Sequence, residues 1–102
     1  MSAALTENEF SKHLNTKFRV SLDPPVELEL SEVKGYLGKA DEQSGMERFS
    51  LFFTGPVDRY LPQQVYFIEH ERMGAFELFL VPVGRDESGF RYEAVFNYFR
   101  EQ

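Results

Sequence analysis

The chain contains no cysteine. Thiolate nucleophiles, zinc–thiolate sites, iron–sulfur ligation and disulfides are thereby excluded, and a thiol-free chain suits a reducing, cytoplasmic setting. No apolar run approaches the ~20 residues that a bilayer-spanning helix needs. The opening MSAALTENEF lacks the basic region and apolar stretch of a signal peptide. Cations are scarce as well: 11 Lys and Arg stand against 17 Asp and Glu, a net charge of −6. Such a surface repels phosphate backbones. Arg91, Tyr92, Tyr98 and Arg100 interleave as they would on a nucleic-acid face, but Glu93 and Glu101 sit among them. Neither nucleic acid nor membrane is expected as a partner.

Catalytic signatures are missing too. There is no GxSxG elbow, P-loop or GxGxxG stretch, and Gly35-Tyr36-Leu37-Gly38-Lys39 has the composition of a Gly-rich loop without its spacing. Asp86-Glu87-Ser88-Gly89 lacks the further oxygen ligands of a calcium loop and reads as hairpin turn chemistry. Only two histidines are present. His13 reads as a solvated residue near a helix C-terminus, where a cation is favoured. His70 lies in EHE, but strand alternation sends Glu69 and Glu71 to the face opposite His70, so a straight strand cannot chelate with all three. Glu27 and Glu29 share a strand face and could do paired acid–base work only if buried; with Ser31 on the same face, they read as solvated. The expectation is no enzyme, no cofactor and no metal.

What is present is aromatic and periodic. In 102 residues, enough for one domain, 16% are aromatic and eleven are Phe. Phe has no polar handle, so these belong to core or interface. Thr6 with Glu9 makes a capping box, Leu5 with Phe10 a hydrophobic staple, and Glu7 and Glu9 suit the positive helix end. The spacing of Phe10 and Leu14 predicts a short helix from about Glu7 to Leu14. From there the period becomes two. Phe18, Val20 and Leu22 alternate with polar residues, Asp23-Pro24-Pro25 breaks the run, and Val26, Leu28 and Leu30 alternate again. Residues 1–4 read as a loose tail and 34–47, rich in Gly and charge, as a mobile loop.

Arg48–Thr54 follows with Phe49, Leu51 and Phe53 inward. Gln64–Glu71, Ala75–Val83 and Phe90–Phe99 read as an antiparallel meander with turns at Arg72–Gly74 and Gly84–Gly89. One short helix and six strands predict a mainly β (α+β) domain: a small six-stranded antiparallel β-barrel or roll, the helix plugging one end.

Several strands are apolar on both faces. Phe76, Leu78 and Leu80, with Tyr92, Ala94 and Phe96, suit the interior. Phe52, Phe67, Phe79, Val81, Val83 and Val95 then point outward and need a cover: the helix for part of them, and a protein partner or a second copy, in a homodimer, for the rest. An interaction or assembly module is one expectation. A small-ligand barrel with a mouth of Tyr36, Tyr60, Tyr66 and Tyr92 is the alternative. An acidic mimic directed at a basic partner is compatible with the charge.

The segments ENEFSKHLNTKF, RFSLFFTGP, LPQQVYFIEHERMGAFELFLVPVG and RYEAVFN resemble an uncharacterised family of small bacterial domains. That family shares an FSL.F.GP…LPQ..Y…H…G.F.LFLVPVG middle and a YEAVFN close. The resemblance spans nearly the whole chain outside 34–47. It implies an accessory or structural role beside phage-tail-like or tail-fibre-like genes, with a protein partner. It carries no catalytic residues to this chain.

Overall fold

The expected helix start is present. In the computed structural model, which describes residues 5–36 and 45–99, α1 (Glu7–Ser11) begins after Thr6, whose side chain accepts from Glu9 N at 3.1 Å. The other half of the expected capping box is redirected, because the Glu9 carboxylate faces Lys12 and His13, each at 3.3 Å. A residue far along the chain takes up another helix donor: Glu7 N donates to Glu47 Oε1 at 3.2 Å. The helix is shorter than expected. After Ser11 the chain turns through residues 12–15, and Asn15 adopts a positive φ of 66°.

Six strands follow: β1 (Lys17–Val20), β2 (Val26–Gly35), β3 (Met46–Gly55), β4 (Gln64–His70), β5 (Gly74–Asp86) and β6 (Gly89–Phe99). All pair antiparallel in the closed order β1-β2-β3-β6-β5-β4. The mainly β fold expected from the period-two pattern is therefore the fold of the chain. The ring closes without being a regular barrel. β5 pairs with β4 along Gly74–Leu80 and with β6 along Val81–Asp86. β2 changes partner in the same way, from β1 along Val26–Glu29 to β3 along Glu29–Gly35. Each of these shared strands carries a register shift, at Leu30/Glu32 and at Pro82/Gly84. Bulges bend strands at such corners, and Pro82, with no N–H to donate, sits at one of them.

Strand extends into two of the expected loops. β2 runs through Lys34 and Gly35, and β3 begins at Met46, so only the middle of 34–47 lies between them; residues 37–44 and the tail 1–4 lie outside the described residues. The Gly84–Gly89 turn contracts to Glu87–Ser88, because β5 continues to Asp86. Asp86 Oδ1 accepts from Ser88 N at 2.8 Å, the local bond that makes Asp a turn former. Gly89, at φ +136°, has its Cα against Gly55 O, so a side chain there would strike backbone.

The interior is filled with side chains. Phe18, Val20, Leu28, Leu30, Phe49, Leu51, Phe53, Ile68, Leu80 and Tyr92 are fully buried, each large apolar one contributing about 1.5–3 kcal/mol. Both ends are plugged. At one, Phe10 of α1 lies 5.7 to 6.2 Å from the rings of Phe96, Phe76, Phe49 and Phe18. At the other, Leu61 is buried by the 56–63 connection.

Candidate functional site

Strand alternation sets the outer face, and β5 divides it. Val65 pairs with Phe79, and Phe67 with Glu77, across β4 and the first half of β5. Val81 pairs with Glu93, and Glu93 with Phe52, across the second half of β5, β6 and β3. The six outward residues named from the sequence are thus distributed over two regions. In the first, Phe67 is 64% and Phe79 49% exposed, with Val65 at 54% beside them. Val65 joins this group unannounced; it stands two residues from Phe67 and shares its face.

The second region is more polar. Phe52 is half-buried, with the Arg91 guanidinium 5.7 Å above its ring and Glu32 3.9 Å from Arg91. Val81 is half-buried, and Val83 is exposed at the bulge. Val95 is 64% exposed but shares its depression with Tyr36, Arg48, Ser50, Glu93 and Asn97, where Ser50 Oγ donates to Glu93 Oε2 at 2.6 Å. The helix covers none of the exposed group. It packs on β2 and β3, and its one buried side chain, Phe10, points into the interior. The expectation that α1 shields part of the outer face is corrected accordingly: the staple that starts the helix commits Phe10 to the core.

The four mouth tyrosines do not converge. Tyr66 and Tyr92 are buried and serve the end plug: Tyr66 Oη donates to Pro62 O, while Tyr92 Oη accepts from Leu61 N at 2.9 Å and donates to Arg59 O at 3.4 Å. Burial pushes both phenols above their ordinary value. Tyr60 is exposed against Phe90. Tyr36 follows β2, its N–H bonded to Arg48 O at 3.0 Å, so it belongs to the helix end. Glu27 and Glu29 sit on the solvated face, opposite Arg19 and Lys17. They line an open depression of about 640 Å³ with Lys17 and Thr54, a charged wall unlike the apolar lining of small-molecule pockets.

His70 and His13 are placed where sequence reasoning did not put them. His70 is 7% exposed and points inward at the end of β4. Its Nδ1 accepts from Arg72 N at 3.0 Å and Met73 N at 3.2 Å. Its Nε2 lies 2.9 Å from Thr16 Oγ1, and that hydroxyl donates to His13 O at 2.6 Å. The His13 ring, far from solvated, lies 4.7 Å from the His70 ring. Glu69 turns outward to Arg19 at 2.7 Å, so EHE is split as alternation required. Among the described residues no group of three His, Cys, Asp or Glu is placed to hold a metal ion, and none of the described helices is long and apolar enough to cross a membrane.

A family model described as Domain of unknown function (DUF6916) matches residues 5–96. No curated protein and no solved structure matches the chain.

Proposed function

From the premise that the chain belongs to the DUF6916 domain family, we propose that it is a non-enzymatic protein-interaction or assembly module that docks through the outer face of β4 and β5. The observation that carries this reading is the group Val65, Phe67 and Phe79, all about half exposed or more and placed side by side by the β4–β5 register. Two phenylalanines and a β-branched residue on one strand pair supply the aromatic anchors around which interface hot spots form. Glu77, opposite Phe67, and the Glu69–Arg19 pair supply a polar rim. In the bacterial setting that the family resemblance implies, the module serves in the cytoplasm as an accessory to a phage-tail-like or tail-fibre-like assembly, bound to a protein partner or to a second copy. Less supports the ligand-barrel reading, since both ends of the ring are plugged and its interior is occupied by core side chains.

The test is a double substitution, Phe67→Ser with Phe79→Ser, read in two assays. Both sites are solvent-facing, so folding stability should change by no more than about 0.5 kcal/mol per site. Capture of partner or self-association, followed by light scattering after size exclusion and by pull-down from the native cells, should fall by about tenfold or more, as loss of hot-spot aromatics does. Unchanged association in a folded double variant would remove this face from the proposal.

A further inference from the structure

The closure of the ring is its thinnest element. Among the described residues β1 and β4 share two registered pairs, Arg19↔Glu69 and Val20↔Ile68, extended by Ser21 N donating to Phe67 O at 2.9 Å. The next level of the seam is held by side chains. The His70 ring lies 4.3 Å from the Phe18 ring, and His70 Nε2 reaches Thr16, the residue that leads into β1.

The hydrogen-bond pattern defines the state of that imidazole. Thr16 Oγ1 has its proton committed to His13 O, so it offers His70 only lone pairs, and Nε2 must carry the N–H. Nδ1 faces two backbone N–H groups, so it must be bare. His70 is therefore the neutral Nε2–H tautomer, and no proton can be added at Nδ1 without turning an acceptor of two bonds into a donor facing two donors.

We propose that the β1–β4 seam is an acid-responsive latch: protonation of His70 at Nδ1 expels the Arg72 and Met73 N–H groups and releases the 71–73 turn, and the displaced ring carries its Nε2–H away from Thr16, loosening the seam beside the β1–β4 pairs. The surroundings favour the neutral ring. Burial opposes its charge most, and His13, across from it, and Arg72 add to this, while Glu71 works the other way. The other charged groups are already engaged. Glu9 faces His13 and Lys12, Lys17 faces Glu29, and Glu69 faces Arg19; Glu27, across the same depression, pairs in register with Arg19. Opening the seam exposes the backbone edges of β1 and β4, which a further strand can join. This inference stands independently of the outer-face reading.

Amide hydrogen exchange between pH 7 and pH 5 tests it, read at Ser21, Arg72 and Met73. In the wild-type chain, protection at these amides, corrected for intrinsic exchange, should fall as pH drops below about 6.5, by up to about tenfold per pH unit. His70→Asn retains an acceptor for the turn and cannot titrate, so its protection should be flat over this range. His13→Gln should keep a pH response. A His70→Asn variant that follows the wild-type slope, or a His13→Gln variant that loses it, overturns the latch. A second readout uses the wild-type protein alone. The imidazole ¹⁵N shifts of His70 at pH 7 should report a bare Nδ1 and a protonated Nε2. An Nδ1–H tautomer, or a ring that titrates in the folded protein at or above the ordinary histidine value, overturns it equally.

Discussion

At the helix end the ring is stoppered by Phe10, set among four other phenylalanines and flanked by the His13–Thr16–His70 contacts. At the opposite end it is stoppered by Leu61, whose N–H is held by Tyr92 Oη. The first plug is a whole side chain driven in from an appended helix. The second is a backbone segment tied down by two phenols, Tyr92 at Leu61 and Arg59, and Tyr66 at Pro62. Apolar volume therefore dominates the helix end and hydrogen bonds the other. The groups with displaced titration differ in the same sense: the His70 imidazole at one end, the Tyr66 and Tyr92 phenols at the other. Acid and alkali should consequently attack opposite ends of the same small ring.

The largest effect that separates the ends is Phe10→Ala. Truncating a fully buried Phe typically costs about 3–5 kcal/mol, a large fraction of the roughly 5–15 kcal/mol by which a domain is stable. Urea unfolding should show the unfolding free energy falling by that amount, with the midpoint lowered in proportion. A loss below about 1 kcal/mol would mean that α1 is not an integral stopper. Tyr92→Phe should cost less, about 1–3 kcal/mol, because it retains the ring and leaves the buried Leu61 N–H without its acceptor. Exchange at the Leu61 amide should accelerate while the helix-end amides keep their protection relative to global unfolding. Loss of protection at both ends alike would mean that the ends are coupled.

The alkaline arm is smaller still. Tyr66 and Tyr92 are held neutral by burial, above the ordinary value of 10.0. Below that value neither state ionises and stability is unaffected. Above it the unfolded chain loses phenolic protons that the folded chain retains, so stability falls as pH rises, by at most about 1.4 kcal/mol per unit for each group. Unfolding midpoints measured from pH 9 to pH 11 should decline in the wild type and decline less steeply in Tyr92→Phe. Equal slopes would assign the alkaline loss to other groups.

Much of this arrangement was legible in the residues, and the remainder was not for a definable reason. Leu5, Thr6, Glu9 and Phe10 announce a helix start within six positions, and alternation placed Phe49, Leu51, Phe53, Tyr92 and Ala94 inward, where they are buried. Pro82, with no N–H to donate, sits at the β5 irregularity. Local pattern does not encode register between distant strands. The split of β5 between β4 and β6 separates Phe67 and Phe79 from Phe52 and Val81, although all four alternate outward alike. Glu47 reaches the helix N-terminus from 40 residues away, and Thr16 meets His70 across 54. The EHE triplet could show that its residues diverge, but not that the inward one would meet a threonine hydroxyl and a second imidazole.

The smallest prediction tests whether the helix is held by its cap or by its stopper. Thr6 satisfies Glu9 N, and N-cap replacements by Ala cost typically about 1 kcal/mol. Helix α1 has five residues, too few to persist in water without tertiary support, so its cap can add only to a helix already docked by Phe10. Thr6→Ala should therefore lower stability by about 1 kcal/mol in the wild type. In the Phe10→Ala background, with the helix undocked, the same substitution should cost close to nothing. A double-mutant cycle measures this as a coupling near 1 kcal/mol. Strict additivity would mean that α1 remains formed without its stopper, held by the Glu47–Glu7 bond, and the helix end would then resemble the Tyr92 end in being tied by hydrogen bonds rather than by packed volume.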